Sequence, residues 1–346
     1  MGGVRVDKKQ ARKSKKLKSV IIMNLETYLV KNNFNKENFD KLIEIFNKEE
    51  FIPFVGAGSS VPMGGPDWLD LLKKMQNSAG IEIRPKKDSI GNINFPKYFS
   101  RLFKKMKDQS SFYSQLFKSV EPTETGSTEF HVHLVSTFYA YITTNYDTPI
   151  ERAYKKEKRQ EIKKHFFSCY KLDNLKDSVV YLHGHKDIGF AIIKEEDYRY
   201  FYPSVNETSS AGIPILESFL EQVYVGKKII FIGFSFNDQY VAEFIKLLGL
   251  KYKDKRDIIH FLLIKNNATS YLKYQEMAGK YRQEGQLGMA NEAESKFFQN
   301  FMSINIYPIV YTENIFVERL LEKLKRSEVH TTIDKPQLNL LNITGS

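Results

Sequence analysis

Four short apolar runs in this chain end alike, in glycine or small polar side chains, and each leads into a stretch with helical spacing. Phe51–Val55 runs into Gly56-Ala57-Gly58-Ser59-Ser60, and Ala140–Thr143 into Thr144-Asn145-Tyr146-Asp147. Residues 178–182 end at His183-Gly184-His185, and residues 228–233 at Phe234-Ser235-Phe236-Asn237-Asp238. Unbroken apolar runs are strands buried on both faces, and their alternation with helices predicts a doubly wound, Rossmann-like parallel sheet with helices on both sides. Such sheets bind ligands outside the carboxyl ends of their strands. The four polar clusters are therefore expected to converge on one crevice.

The remaining pattern places a basic arm and helical extension at residues 1–48. One α/β domain is expected over 49–326, with a charged helical insertion at 268–301 and a tail at 327–346. Helices are expected over 20–29, 36–46 (capped by Asn35), 68–75, 98–120, 130–138, 149–157, 195–202, 214–223, 239–248 and 315–324. Further strands are expected over 257–264 and 304–310. No internal repeat is visible.

Composition narrows the class. A hydrophobic share of 42% and an aromatic share of 14% are ample for a large core. No apolar run is long enough to span a membrane, and residues 1–20 have neither an apolar signal-peptide core nor Ser or Thr where a myristoylation signal needs it. The single cysteine, Cys169, allows neither an internal disulfide nor a four-cysteine zinc site. A soluble, cytoplasmic chain is expected. The net charge is +11, and residues 1–20 hold eight Lys or Arg against one Asp. That arm is either a solvated tail or a contact for nucleic-acid phosphates.

Each polar cluster has a chemical and a structural reading. Gly56, Ala57, Gly58 and Ser59 can bring backbone close to a dinucleotide pyrophosphate, or simply make a tight turn. The third glycine of the dehydrogenase fingerprint is absent, since position 61 is Val, which disfavours hydride transfer. Asn145 and Asp147 can present an amide and a carboxylate to a cleft, or Asp147 can cap the helix that follows. His183 is a candidate general base beside the small Gly184. His131 and His133 raise a metal alternative, but without a recognised ligand spacing; one is expected to pack and the other to face solvent. Gly233 allows close backbone approach, Ser235 can bond a ribose or phosphate oxygen, and Asp238 is read as a helix cap.

These four pieces, in this order, resemble the bacterial SIR2-like family, which includes phage-defence effectors that degrade NAD. Sirtuins carry a Gly-Ala-Gly-x-Ser loop, a Thr-x-Asn-x-Asp segment, a His-Gly after the next strand and a late Gly-x-Ser. Pro66-x-Trp68, the segment from Glu195 to Tyr198, and the run from Gly233 to Asp238 are similar to the SIR2-like branch. The resemblance covers roughly residues 48–325. Two features of protein-deacylase sirtuins are missing: the four-cysteine zinc module, and the acidic-Phe-Arg piece, replaced here by Asp67-Trp68-Leu69.

The resemblance implies a zinc-less enzyme that hydrolyses the nicotinamide–ribose bond of NAD⁺, with NAD⁺ as substrate and no metal. It implies that Asn145 positions the ribose or the attacking water and that His183 is the general base. Asp147 would hold the carboxamide, while Gly56, Ala57, Gly58, Ser59, Gly233 and Ser235 would cradle the ADP half. Tyr146 stacks on the nicotinamide side or belongs to the core. A latent anti-phage effector is expected, a homo-oligomer triggered by a partner protein or a phage-derived signal, because the chain shows no room for a fused sensor. Regions 1–48 and 268–301 are candidate subunit contacts. A silent NAD or ADP-ribose sensor, and a protein ADP-ribosyltransferase or deacylase, stay open.

Overall fold

The computed structural model describes residues 25–86, 93–123, 129–169, 171–205, 214–234, 236 and 238–328. The basic arm over 1–20, the tail beyond residue 328, Ser235 and Asn237 lie outside these residues.

A seven-stranded sheet organises the chain: β1 (Phe51–Val55), β2 (Ala140–Thr143), β3 (Lys163–Phe166), β4 (Ser178–Tyr181), β7 (Lys228–Ile232), β8 (His260–Lys265) and β9 (Ile306–Tyr311). Their order is β3-β4-β2-β1-β7-β8-β9, and every pairing is parallel. The chain starts at the centre with β1, builds outward through β2 and β4, then returns to β7 and builds the other way. The point of reversal lies between β1 and β7, where a doubly wound sheet opens its crevice. Register aligns the two strand ends, with Val55 opposite Ile232, so Gly56 and Gly233 leave the sheet side by side. A separate two-stranded hairpin pairs β5 (Gly184–His185) with β6 (Phe190–Ala191).

Strand alternation sorts the core into two layers. Ile52 and Phe54 join the layer that contains Phe219, Leu220 and Ile245, while Phe51 and Val55 join Leu134, Phe316 and Leu320 on the opposite face. The helices of those layers are α5 (Glu129–Thr137), α6 (Pro149–Lys158), α8 (Ile215–Gly226), α9 (Gln239–Lys251) and α12 (Ile315–Glu328). A third cluster gathers α2 (Trp68–Ala79), α3 (Phe95–Lys105) and α4 (Phe112–Val120), all inserted between β1 and β2. It includes Tyr146 and Ile193 from the strand-end loops, so this helical unit stands beside the crevice. Asp67 caps α2 by accepting from the Asp70 amide, and Gly80 ends it at φ 64°.

Local details differ from expectation. Helix α1 (Asn33–Phe46) is capped by Asn32, whose side chain accepts from the Phe34 amide. Asn35 lies inside the helix and bonds Val310 backbone at both polar ends of its amide, at 2.8 and 2.7 Å. With Leu29 bridged to Tyr311, this covers the outer edge of β9. Phe39, Leu42 and Phe46 are buried in the core, so residues 33–46 are part of the domain. The helix expected over 98–120 divides into α3 and α4. Strand β3 was not expected: its Lys-Lys-His-Phe sequence carries little apolar signal, as suits an edge strand. Residues 268–301 hold α10 (Thr269–Gln283) and α11 (Leu287–Met302), which connect β8 to β9 and bury Phe297 and Phe298.

Candidate active site

Loop 56–60 and the turn after β7 are locked together through backbone. The Gly56 amide donates to Ile232 O and the Gly58 amide to Gly233 O, both at 2.9 Å. A Cβ on Gly56 would lie 2.6 Å from Gly233 O, and one on Gly233 would lie 2.6 Å from the Ser59 amide nitrogen. Gly233 also sits at φ 64°, a conformation that side chains disfavour. The glycines expected to admit a phosphate are thus required first by the approach of one loop to another. The Ser59 hydroxyl turns back to Gly56 O at 2.8 Å, leaving Ala57 exposed at the cavity wall.

The cavity encloses about 260 Å³. Ala57, Ser60, Asn145, Asp147, His183 and Gly233 all line it, with Trp68 and Leu71 on the helical side. The ends of β1, β2, β4 and β7 therefore meet at one crevice, and an unpartnered acceptor marks it. Asn145 is held by its backbone amide on Thr143 Oγ1 at 3.0 Å and by its Nδ2 on Ser59 Oγ at 3.4 Å, while its Oδ1 is buried without a protein partner. Buried polar atoms of this kind call for a partner from outside the chain, as a hydroxyl-bearing ligand or water supplies.

Asp147 does not cap α6; the cap position is Thr148, which makes no side-chain cap bond. Its carboxyl is crowded at the cavity edge. Burial pushes its pKa up to about 7, Glu121 adds to the rise, and Ser60, Arg152 and Asn145 oppose it. Near neutral pH the group is divided between an acceptor-only carboxylate and an acid that can donate one hydrogen bond. Tyr146 belongs to the core, its hydroxyl donating to Ile192 O at 2.7 Å, and the residue also lines the cavity.

His183 is buried, and burial lowers its pKa while Asp238 acts against that. Its Nε2 is 2.9 Å from the Tyr202 hydroxyl and its Nδ1 3.5 Å from the Tyr198 hydroxyl. Tyr198 lies on α7 (Glu195–Phe201), Tyr202 at its end. Tyr198 in turn donates to Asp238 Oδ2 at 2.8 Å. Asp238 does cap α9, accepting from the Val241 amide through Oδ1 at 3.2 Å, but it also lines the cavity. Sequence reasoning found the cap and missed this second use, along with both tyrosines, because nothing local ties residue 198 to residue 238.

The other histidines are elsewhere. His185 packs tilted against Tyr181 with ring centroids 4.4 Å apart, and its Nε2 is 2.9 Å from Glu151 Oε1. His131 is buried in α5 and His133 is half-buried. Among the described residues no group of three His, Cys, Asp or Glu side chains could hold a metal ion. Nor, among them, is any helix long and apolar enough to cross a membrane.

Residues 139–284 match the family profile of the SIR2-like domain. The NAD(+) hydrolase ThsA of Acinetobacter baumannii is 25% identical over 242 residues, 67% of this chain and 46% of that protein. The NAD(+) hydrolase ThsA of Cytobacillus dafuensis is 27% identical over 253 residues, 70% of this chain and 47% of that one. Defense-associated sirtuin 2 of Bacillus subtilis is 25% identical over 270 residues, 74% of this chain and 24% of that one. The chain thus spans about half the length, or less, of these curated relatives. A solved complex of a Sir2 homologue mutant with ADP ribose aligns over 86% of this chain and 99% of its own, at 12% identity and a TM-score of 0.41.

Proposed function

We propose that this chain, whose residues 139–284 match the SIR2-like domain, hydrolyses the nicotinamide–ribose bond of NAD⁺ and serves as a latent effector of bacterial anti-phage defence. One observation carries the reading: Asn145, Asp147 and His183 leave two different strands and line one cavity with the Gly56–Gly58 loop and Gly233. The similarity to proteins named NAD(+) hydrolase and defense-associated sirtuin supports it.

In this reading each group has a task that its surroundings suit. The unpartnered Asn145 Oδ1 accepts from a ribose hydroxyl or from the attacking water. Asp147 meets the nicotinamide carboxamide, accepting from its NH₂ as a carboxylate or donating to its carbonyl as an acid. His183, kept neutral by burial, takes the proton released as water adds to the ribose carbon. Loop 56–60 and Gly233 hold the ADP half by backbone. Ser235 is proposed to assist there. Positioning and base catalysis supply the rate, with oxocarbenium-like charge developing on the ribose.

An NAD⁺ hydrolase that never rests would exhaust its own cell, so the activity is held in check by assembly, a partner protein or a phage-derived signal. Residues 268–301 and the N-terminal region are the proposed subunit contacts. Because α1 is part of the core, the deletion that tests the N-terminal region stops at residue 24. An unchanged mass in light scattering removes that region from consideration. Nucleic-acid binding by residues 1–20 is proposed separately and would show steep salt dependence.

The test of function is nicotinamide release from NAD⁺ by purified protein and by phage-challenged cells, beside Asn145→Ala and His183→Ala. Release by the wild type and by neither variant supports the reading. Stable NAD⁺ both in vitro and in challenged cells rejects it and favours a sensor.

A further inference from the structure

Two phenols grip His183, and their hydrogen bonds run in opposite senses. Tyr198 spends its one proton on Asp238 Oδ2 at 2.8 Å. Toward His183 Nδ1, 3.5 Å away, that phenol oxygen can therefore only accept. Among the described residues, Asp238 Oδ2 itself also lies near Nδ1, at 3.8 Å, and it too is an acceptor. An imidazole nitrogen that faces two acceptors carries the hydrogen. A neutral ring with its hydrogen on Nδ1 has a bare Nε2, and the Tyr202 hydroxyl 2.9 Å away is then its donor.

We propose that Asp238, acting through Tyr198, is the positioning residue that sets His183 as the Nδ1–H tautomer and provides its counter-charge, while Tyr202 caps the basic Nε2 in the resting site. The inference deepens the hydrolase reading and rests on it for the origin of the proton. Tyr202 first turns its O–H away from Nε2 and frees that lone pair. As water attacks, its oxygen bonds the ribose carbon, its proton passes to the freed Nε2, and nicotinamide leaves with the electron pair of the broken C–N bond. The Tyr202 oxygen then accepts from the new Nε2–H, and the imidazolium is balanced by Asp238.

The surroundings leave Asp238 alone in that role. Among the described residues it is the one carboxylate within 4.0 Å of the ring. Tyr146 faces the ring at a centroid distance of 6.4 Å but donates its hydroxyl to Ile192 O. Tyr240 stacks on Tyr198 at 4.7 Å and holds its ring plane. Tyr198 and Tyr202 thus come from one short segment, four residues apart, yet push the basicity of His183 in opposite directions. Tyr198 favours the charged ring by passing on the influence of Asp238. Tyr202 favours the neutral ring by bonding its lone pair.

The experiment uses the full chain with three conservative variants: Asp238→Asn, which keeps a helix-capping side chain, Tyr198→Phe and Tyr202→Phe. Long-range ¹⁵N NMR of labelled histidine, with the His183 signals assigned by a His183→Gln chain, should show Nδ1 protonated in the wild type. The acid limb of the kcat/KM profile should move to lower pH in Asp238→Asn and Tyr198→Phe, and to higher pH in Tyr202→Phe. Asp238→Asn should lose about 10²-fold in kcat, with KM little changed. A wild-type Nε2–H tautomer, or shifts of the same sign for the two tyrosine variants, overturns the proposal. If wild type releases no nicotinamide under any condition, the hydrolase reading fails. The NMR titration of His183 in the three variants then decides the relay by itself.

Discussion

Gly58 and Gly233 meet backbone to backbone, with the Gly58 amide donating to Gly233 O at 2.9 Å and no room for a side chain between them. A Cβ on Gly58 would stand 2.8 Å from that same carbonyl oxygen. The contact joins the first strand of the sheet to the strand on the other side of the crevice, so it sets the cavity's floor.

Substitution there should damage stability and site together. Gly233→Ala adds a Cβ 2.6 Å from the Ser59 amide nitrogen and must also hold φ at 64°. The backbone preference alone costs roughly 1–2 kcal/mol, and the steric term adds to it. Thermal unfolding should report a lower midpoint, and nicotinamide release should fall more than the folded fraction does. An unchanged midpoint would show that the two loops can separate freely.

Asn145 should behave in the opposite manner. Its Oδ1 is buried without a protein partner and its amide bond to Ser59 is long, at 3.4 Å, so Asn145→Ala gives up little internal bonding. The variant should unfold within about 1 kcal/mol of the wild type while losing about 10²-fold or more in kcat. Comparable losses of stability and activity would mark Asn145 as a structural residue.

Asp147 links pH to stability. Its folded-state pKa is raised from 3.8 to about 7, so the proton favours the native state. That contribution is fully present below pH 3.8 and is lost as pH rises to about 7. Asp147→Asn has no charge to bury, and should exceed the wild type in stability above pH 7 by up to about 4 kcal/mol. The gap should narrow toward pH 4. Chemical denaturation at pH 4.5 and 8 checks it; a gap that does not depend on pH is the contrary result.

His183 and His185 are two residues apart and should differ in kind. His185 is packed against Tyr181 and Phe166 and lies beside Glu151. His185→Ala should cost about 2–4 kcal/mol, mainly through the cavity it leaves, since Glu151 keeps the Tyr181 hydroxyl and Lys164 as partners. The folded fraction should retain turnover, unlike His183→Ala. Active-site titration combined with denaturation separates the two effects.

The alternation of apolar runs with helices was legible because strands buried on both faces need no partner-specific code. β1, β2, β4 and β7 all begin and end within a residue of expectation. The same reasoning missed β3, whose lysines are edge-strand residues. It also placed the cap of the helix over 36–46 at Asn35 when that amide is spent on Val310, 275 residues away. Patterning reports what a segment does with its own neighbours, and it is silent where a side chain's partner is remote.

The site divides along the same line. By itself the sequence determined that four polar clusters follow four strands of a parallel sheet, because strand direction in a βαβ chain carries every strand end to one side. Only the tertiary structure decided how those clusters engage one another. It set Gly56 and Gly58 against Gly233, left Asn145 Oδ1 bare, and joined His183 to Tyr198, Tyr202 and Asp238. Those relations depend on distances of a few ångströms between residues tens to hundreds of positions apart, which only the packed chain brings into being.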